Sequence, residues 1–129
     1  LLYKKGGKTY NLYFTTLQEI SNQRRAREFY EGQMVSLTGQ YYQFPGRDNA
    51  FKLFRMKVTC CGADAVPLQA IIVTPSPLQG FNTGDWVRIE GELSFQKHPQ
   101  RDEWLPVIEL PTMDHLQRTT EPENRFDKV

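Results

Sequence analysis

From Met34 onward the chain settles into a hydrophobic period of two. Over Met34–Phe44, Val35, Leu37, Gly39 and Tyr41 alternate with Ser36, Thr38, Gln40 and Tyr42. Over Asp85–Lys97, Val87, Ile89, Gly91, Leu93 and Phe95 alternate with Arg88, Glu90, Glu92, Ser94 and Gln96. Alternation of this kind predicts strands with one buried face, and the charged set must meet water. Phe51–Thr59, Leu68–Thr74 and Trp104–Leu110 read as three further strands. The two long strands share a motif, since Gly32–Gly39 and Gly84–Gly91 both read Gly-x-x-Val-x-aliphatic-x-Gly. A glycine inside a strand costs packing and marks a bulge or bend, which a strand needs to turn the corner of a small barrel. Five strands in this order predict a mainly β fold, a five-stranded OB-like Greek-key barrel. The helix that usually joins the third and fourth strands of such a barrel gives way to a loop, because Pro75–Gly84 holds two prolines and two glycines.

Outside the strands the pattern is less regular. Leu1–Phe14 alternates aromatics and lysines around Gly6-Gly7, as a small N-terminal hairpin does. Thr16 and Glu19 form a capping-box pattern that predicts a helix from Leu17. Leu17 and Ile20 share a helical face that Phe29 and Tyr30 leave, so two short helical pieces broken near Ser21-Asn22 are expected. The organisation is an extension over 1–16, an OB-like domain with a leading helix over 17–110, and a polar tail over 111–129. Its last part, Arg118–Val129, has no period and is expected to lie on a neighbour or stay mobile.

Length and composition add bounds. A chain of 129 residues, 39% hydrophobic and 24% charged, is one folded domain, neither a disordered tail nor a membrane bundle. Its longest aliphatic run, Ala70–Val73, falls far short of the roughly 20 residues of a spanning helix. A net charge of +1 gives no global attraction to nucleic acid or lipid. The charge is unevenly spread, about +6 over residues 1–59 and about −5 over the rest, which fits two solvated faces or one basic binding face.

The unusual segment is Cys60-Cys61-Gly62-Ala63-Asp64-Ala65, placed directly after the second barrel strand. Adjacent Cα atoms lie about 3.8 Å apart, too close for a comfortable disulfide. Two small buried thiols in a turn, a redox-reactive thiol, or a thiolate site for a divalent transition metal such as zinc all fit the residues, with Asp64 as third ligand or hydrogen-bond acceptor. The spacing of a structural zinc site is missing. The turn is expected at the barrel end that holds Glu31, Asp85, Glu109 and His115, with His98 at the opposite end.

These residues resemble the YcgQ-like permease-subunit family. The likeness rests on the Leu-x-x-Ile helix, Phe29-Tyr30-Glu31-Gly32, Phe54-Arg55 ahead of Cys60-Cys61-Gly62-Ala63-Asp64-Ala65, and Gly84-Asp-Trp-Val-Arg, and it runs from Leu17 to Leu110. It implies a soluble domain tethered to a membrane by an anchor that precedes it, a permease as partner, and metal-uptake settings. No anchor lies within the sequence itself.

Two functions compete with a non-enzymatic interaction domain of this kind. A single-strand nucleic-acid binder would use Phe51, Leu53, Arg55 and Lys57 on one face of the second strand, with Arg47, Lys97, His98 and Arg101 in the loops. The outward Glu90 and Glu92 and the low net charge make nucleic acid a poor partner. Thiol chemistry at Cys60 or Cys61 needs a nearby base and an orienting group, and two histidines make that constellation thin. No small-molecule substrate is indicated, and the chain is expected not to be an enzyme.

Overall fold

The computed structural model describes residues 8–58, 65–123 and 126–127. In chain order the elements are β1 (Thr9–Asn11), α1 (Phe14–Ser21), α2 (Arg24–Tyr30), β2 (Met34–Gln43), β3 (Ala50–Val58), β4 (Ala65–Val73), β5 (Trp86–Lys97), β6 (Trp104–Glu109), a 3-10 turn (Met113–His115) and β7 (Leu116–Arg118).

The repeated glycine motif builds the centre. β2 and β5 pair antiparallel with Leu37 opposite Ile89, which places Val35 opposite Gly91 and Val87 opposite Gly39. Each motif therefore sets its valine against the last glycine of the other, and the pair is nearly two-fold symmetric. The first glycines complete the symmetry at the ends. The Gly32 N–H donates to the Leu93 carbonyl at 2.8 Å, and the Leu93 N–H donates back to the Gln33 carbonyl at 2.9 Å. At the other end Gly84 donates to the Tyr41 carbonyl and Tyr41 to the Asp85 carbonyl, both at 2.8 Å. Two residues facing one, with the first a glycine at φ 84° or 96°, is a glycine bulge, which adds twist to the strand.

The last glycines of the motifs mark where backbones meet. A Cβ on Gly39 would stand 2.7 Å from the Phe54 carbonyl oxygen, and one on Gly91 would stand 2.6 Å from the Glu109 carbonyl oxygen. This clearance lets β2 leave β5 for β3 and lets β5 leave β2 for β6. Neighbouring strands then run β2, β3, β4, β6, β5 and back to β2, with β4 and β6 parallel. The fold is a closed five-stranded OB-like Greek-key barrel with two added strands and two short helices, as the alternation predicted. Val35, Leu37, Val87, Ile89 and Leu93 are buried in its core and Phe95 packs against it. A loop joins β4 to β5, and Arg118 steadies it by donating to the Gly80 carbonyl and lying 4.6 Å over the Phe81 ring.

Two expectations for the chain ends need correction, and a third, the hairpin over Leu1–Phe14, falls in part outside the described residues. β1 runs parallel to the start of β2, Thr9 opposite Met34, and forms no hairpin with a described residue; the Gly6-Gly7 turn lies outside the described residues. Two helices separate β1 from β2, long enough for the crossover that parallel strands require. α1 begins at Phe14, not Leu17, and Thr16 does not cap it. Its first turn is capped by a carboxylate from far along the chain, that of Asp127. The break between α1 and α2 falls at Asn22-Gln23, next to its expected place. The start of the final polar segment is part of the fold, since β7 pairs with β5 and Thr119 donates to the Trp86 carbonyl at 2.9 Å.

Two outcomes follow for stability. Gly39→Ala and Gly91→Ala should each cost about 1–3 kcal/mol in urea unfolding because backbone must move, whereas Gly84→Ala, with no atom within 4 Å of its Cβ, carries only the left-handed backbone penalty of about 1 kcal/mol. Burial pushes the Tyr41 phenol above its ordinary value. The folded protein thus holds that proton to higher pH than the unfolded chain. The stabilisation is complete below the unfolded value of about 10 and is lost as pH rises through the folded one. Unfolding followed up the alkaline range should show this decline, and Tyr41→Phe should flatten it.

Candidate functional site

Cys60, Cys61 and Asp64 lie outside the described residues, between β3 and β4, whose last paired residues are Val58 and Ala65. The expected neighbourhood of that turn is partly wrong. β5 is antiparallel to β2, so it begins where β2 ends, and Asp85 bonds Tyr41. Glu109 pairs with Val73, which pairs with Ala50 at the start of β3. Asp85 and Glu109 therefore stand at the end of the barrel away from the β3–β4 turn. Because β6 is parallel to β4, His98 and the start of β6 come to the end where β4 starts, the side where His98 was not expected. His115 stands 3.7 Å from Glu90 and bonds Thr112. Among the described residues no three histidine, cysteine, aspartate or glutamate side chains gather to hold a metal ion.

The nucleic-acid face read from the sequence points the wrong way. Phe51 and Leu53 are fully buried in the core, because the inward parity of β3 continues that of β2 across their pairing. Arg55, on the same face, is only 9% exposed; it lies 5.6 Å over the Trp86 ring and donates to the Thr38 carbonyl at 3.4 Å. Lys57 sits opposite Val66 near the turn, Arg47 is exposed in the β2–β3 loop, and Arg101 lies in the β5–β6 loop.

The outward parity of β3 and β4 builds a different site. Lys52 projects from β3, Gln69 and Ile71 from β4, and Gln18 of α1 and the residue that ends it, Asn22, form a facing wall. The β2–β3 loop adds Phe44, and the β5–β6 connection adds His98, Arg101 and Trp104. Together they enclose a groove of about 570 Å³, and a recess of about 340 Å³ beside it is lined by Tyr42, Lys52, Phe54, Pro67 and Gln69. Aromatic faces in the groove carry cations: the Lys52 ammonium is 5.5 Å from the Phe44 centroid, and the Arg27 guanidinium is 4.3 Å from that of Trp104. Tyr42 and Phe54 meet edge to face at 6.4 Å.

The β5–β6 loop is held in shape from within. The His98 ring Nδ1 accepts from the Gln100 and Arg101 N–H groups, both at 3.1 Å, so this nitrogen is spent on the loop. Arg101 pairs with Glu103 at 3.6 Å and Lys97 with Asp102 at 3.5 Å, which leaves the loop close to neutral. The Asn22 side-chain carbonyl accepts from the Trp104 N–H at 3.4 Å and ties this loop to α1.

The family is decided by a match covering residues 8–126, described as the DUF1980 C-terminal domain. The chain belongs to that family. No curated protein matches it. The DUF1980 C-terminal domain spans every described element from β1 to β7, so the polar stretch after β6 falls within the family unit. His98 and Arg101, named in the sequence for the nucleic-acid reading, do line the groove, whereas Lys52 and, in the recess beside it, Phe54 were missed because Phe54 is apolar yet faces outward while Arg55 is charged yet faces in. The clue was the unbroken apolar parity of Phe51 and Leu53. For this DUF1980 C-terminal domain Phe51→Ala should cost about 3–5 kcal/mol, and Phe54→Ala about 1 kcal/mol or less, by urea unfolding.

Proposed function

We propose that the chain is a non-enzymatic interaction domain that seats an extended segment of a membrane permease-type partner in the groove over β3 and β4. The groove carries this reading: a concavity of about 570 Å³ bounded by aromatic rings and amide side chains. Rings supply contact area at low entropic cost, and Gln18, Asn22 and Gln69 can exchange hydrogen bonds with a backbone. The permease as partner, and the membrane association it brings, are what the resemblance to the YcgQ-like family supports. Cys60 and Cys61, with Asp64, add a metal-handling role on the β3–β4 connection. Paired thiolates favour zinc-class ions, and a carboxylate can complete the donor set.

A benzophenone amino acid in place of Phe54 should crosslink, in the membrane fraction, to an integral membrane protein. Trp104→Ala or Lys52→Glu should reduce the yield about tenfold, the effect of a single interface anchor. Absence of any crosslink overturns the docking reading. One observation favours the nucleic-acid alternative, the row of Tyr42, Phe54 and Lys52 on the outward face. Against it stand the neutralised loop and the net charge of +1. Anisotropy of a labelled oligonucleotide at low salt should stay flat; salt-sensitive binding lost in Phe54→Ala would replace the first reading with the second. Elemental analysis of protein purified without chelator should find about one zinc-class ion per chain, lost in Cys60→Ser and Cys61→Ser. A blank in the parent protein retires the metal-handling role.

A further inference from the structure

Among the described residues no strand pairing spans the gap between β1 and the last residues of β3. The β2–β3 pairing stops at Gln40 opposite Phe54, and the first part of β2 turns to β1 and β5. Residues 55–58 of β3 thus keep β4 on one side and pair with no other strand among the described residues. Asp127 fills that gap. Its N–H donates to the Met56 carbonyl at 2.7 Å. Its carboxylate accepts from the Phe14 N–H at 2.8 Å on one oxygen, and from the Thr15 N–H at 2.8 Å and the Thr15 hydroxyl at 2.7 Å on the other. The residue is 3% exposed. Tyr13, at the position where a capping side chain ordinarily stands, makes no such bond. One residue, 113 positions away in the chain, therefore caps α1 and joins it to β3.

α1 is also a wall of the groove, through Phe14, Gln18 and Ser21, with Asn22 at its C-terminal end. Phe14 bears both the capped N–H and a side chain that reaches the barrel corner, where its ring tip is 3.0 Å from the place a Gly39 Cβ would take. We propose that Asp127 is a positioning residue for the groove. By capping α1 from the far end of the chain it fixes the distance between the α1 wall and the β3–β4 floor. This inference rests on the docking reading for its consequence, though not for its mechanics.

The test uses the full chain as parent, Asp127→Ala, Asp127→Asn, and Glu123→Ala as a control for loss of charge in the same segment. Amide exchange should quicken about tenfold at Phe14 and Thr15 in Asp127→Ala, the scale of a lost cap, and less in Asp127→Asn, which keeps one acceptor oxygen. Leu37 and Ile89 should stay protected, and Glu123→Ala should match the parent. A benzophenone at position 18, on the α1 wall, should lose its crosslink to the membrane partner in Asp127→Ala, while one at position 54, on the floor, should keep it. Unchanged exchange at Phe14 and Thr15 overturns the proposal. So does faster exchange with the position-18 crosslink intact, which would reduce Asp127 to a cap. If Asp127→Ala does not fold, the same pair of readings in Asp127→Asn decides. Failure of both crosslinks in the parent would count against the docking reading, and the exchange rates would still judge the cap.

Discussion

Closing a small sheet on itself forces two backbones together at each corner, and any side chain placed there has to go somewhere. In this chain the conflict is resolved on one pair of strands. Val35 faces Gly91 and Val87 faces Gly39, so each corner has one side chain and one vacancy. With both corners occupied by valine, the Phe54 and Glu109 carbonyls could not approach as they do. The remaining features follow from this pairing. β2 can serve β5 with one half and β3 with the other only because Gly39 lets it turn, and β5 likewise serves β2 and then β6 past Gly91. The two positive-φ glycines at the ends hold the register, since each bulge bonds the residue opposite through both of its backbone groups.

Closure also dictates where the proposed partner would be met. With the barrel interior filled, the concave surface described above lies outside β3 and β4, between α1 and the loop after β5. Each wall is fastened to something other than its own neighbours in sequence. Asn22 bonds the Trp104 N–H, Arg27 covers the Trp104 ring and donates to the Ser21 carbonyl at 2.7 Å, and Asp127 holds the start of α1. A groove built this way is pre-formed, which lowers the ordering cost of binding.

What was legible in the sequence was whatever a one-sided hydrophobic pattern controls. All five barrel strands and the glycine corners could be read directly, because a slip of one residue would expose Val35, Leu37, Val87 and Ile89 together. Features decided by distant partners were not legible. Thr16 and Glu19 form a plausible cap on paper, but the cap belongs to Asp127, and no local pattern connects the two. The parity of β3 was misread because Arg55 turns inward toward Trp86 and Thr38, partners known only from the fold. The placement of Asp85 beside the Cys60-Cys61 turn failed for a simpler reason: it required β2 and β5 to begin at the same end, and antiparallel strands begin at opposite ends.

The most direct check on the barrel account is a solution measurement of the β2–β5 register in isotope-labelled protein. Nuclear Overhauser contacts should join Val35 to Gly91, Leu37 to Ile89 and Gly39 to Val87, with the amides of both strands slow to exchange. Contacts displaced by a residue, or rapid exchange along one of these strands as at an open sheet edge, would contradict the closed barrel and with it the groove on its outer face.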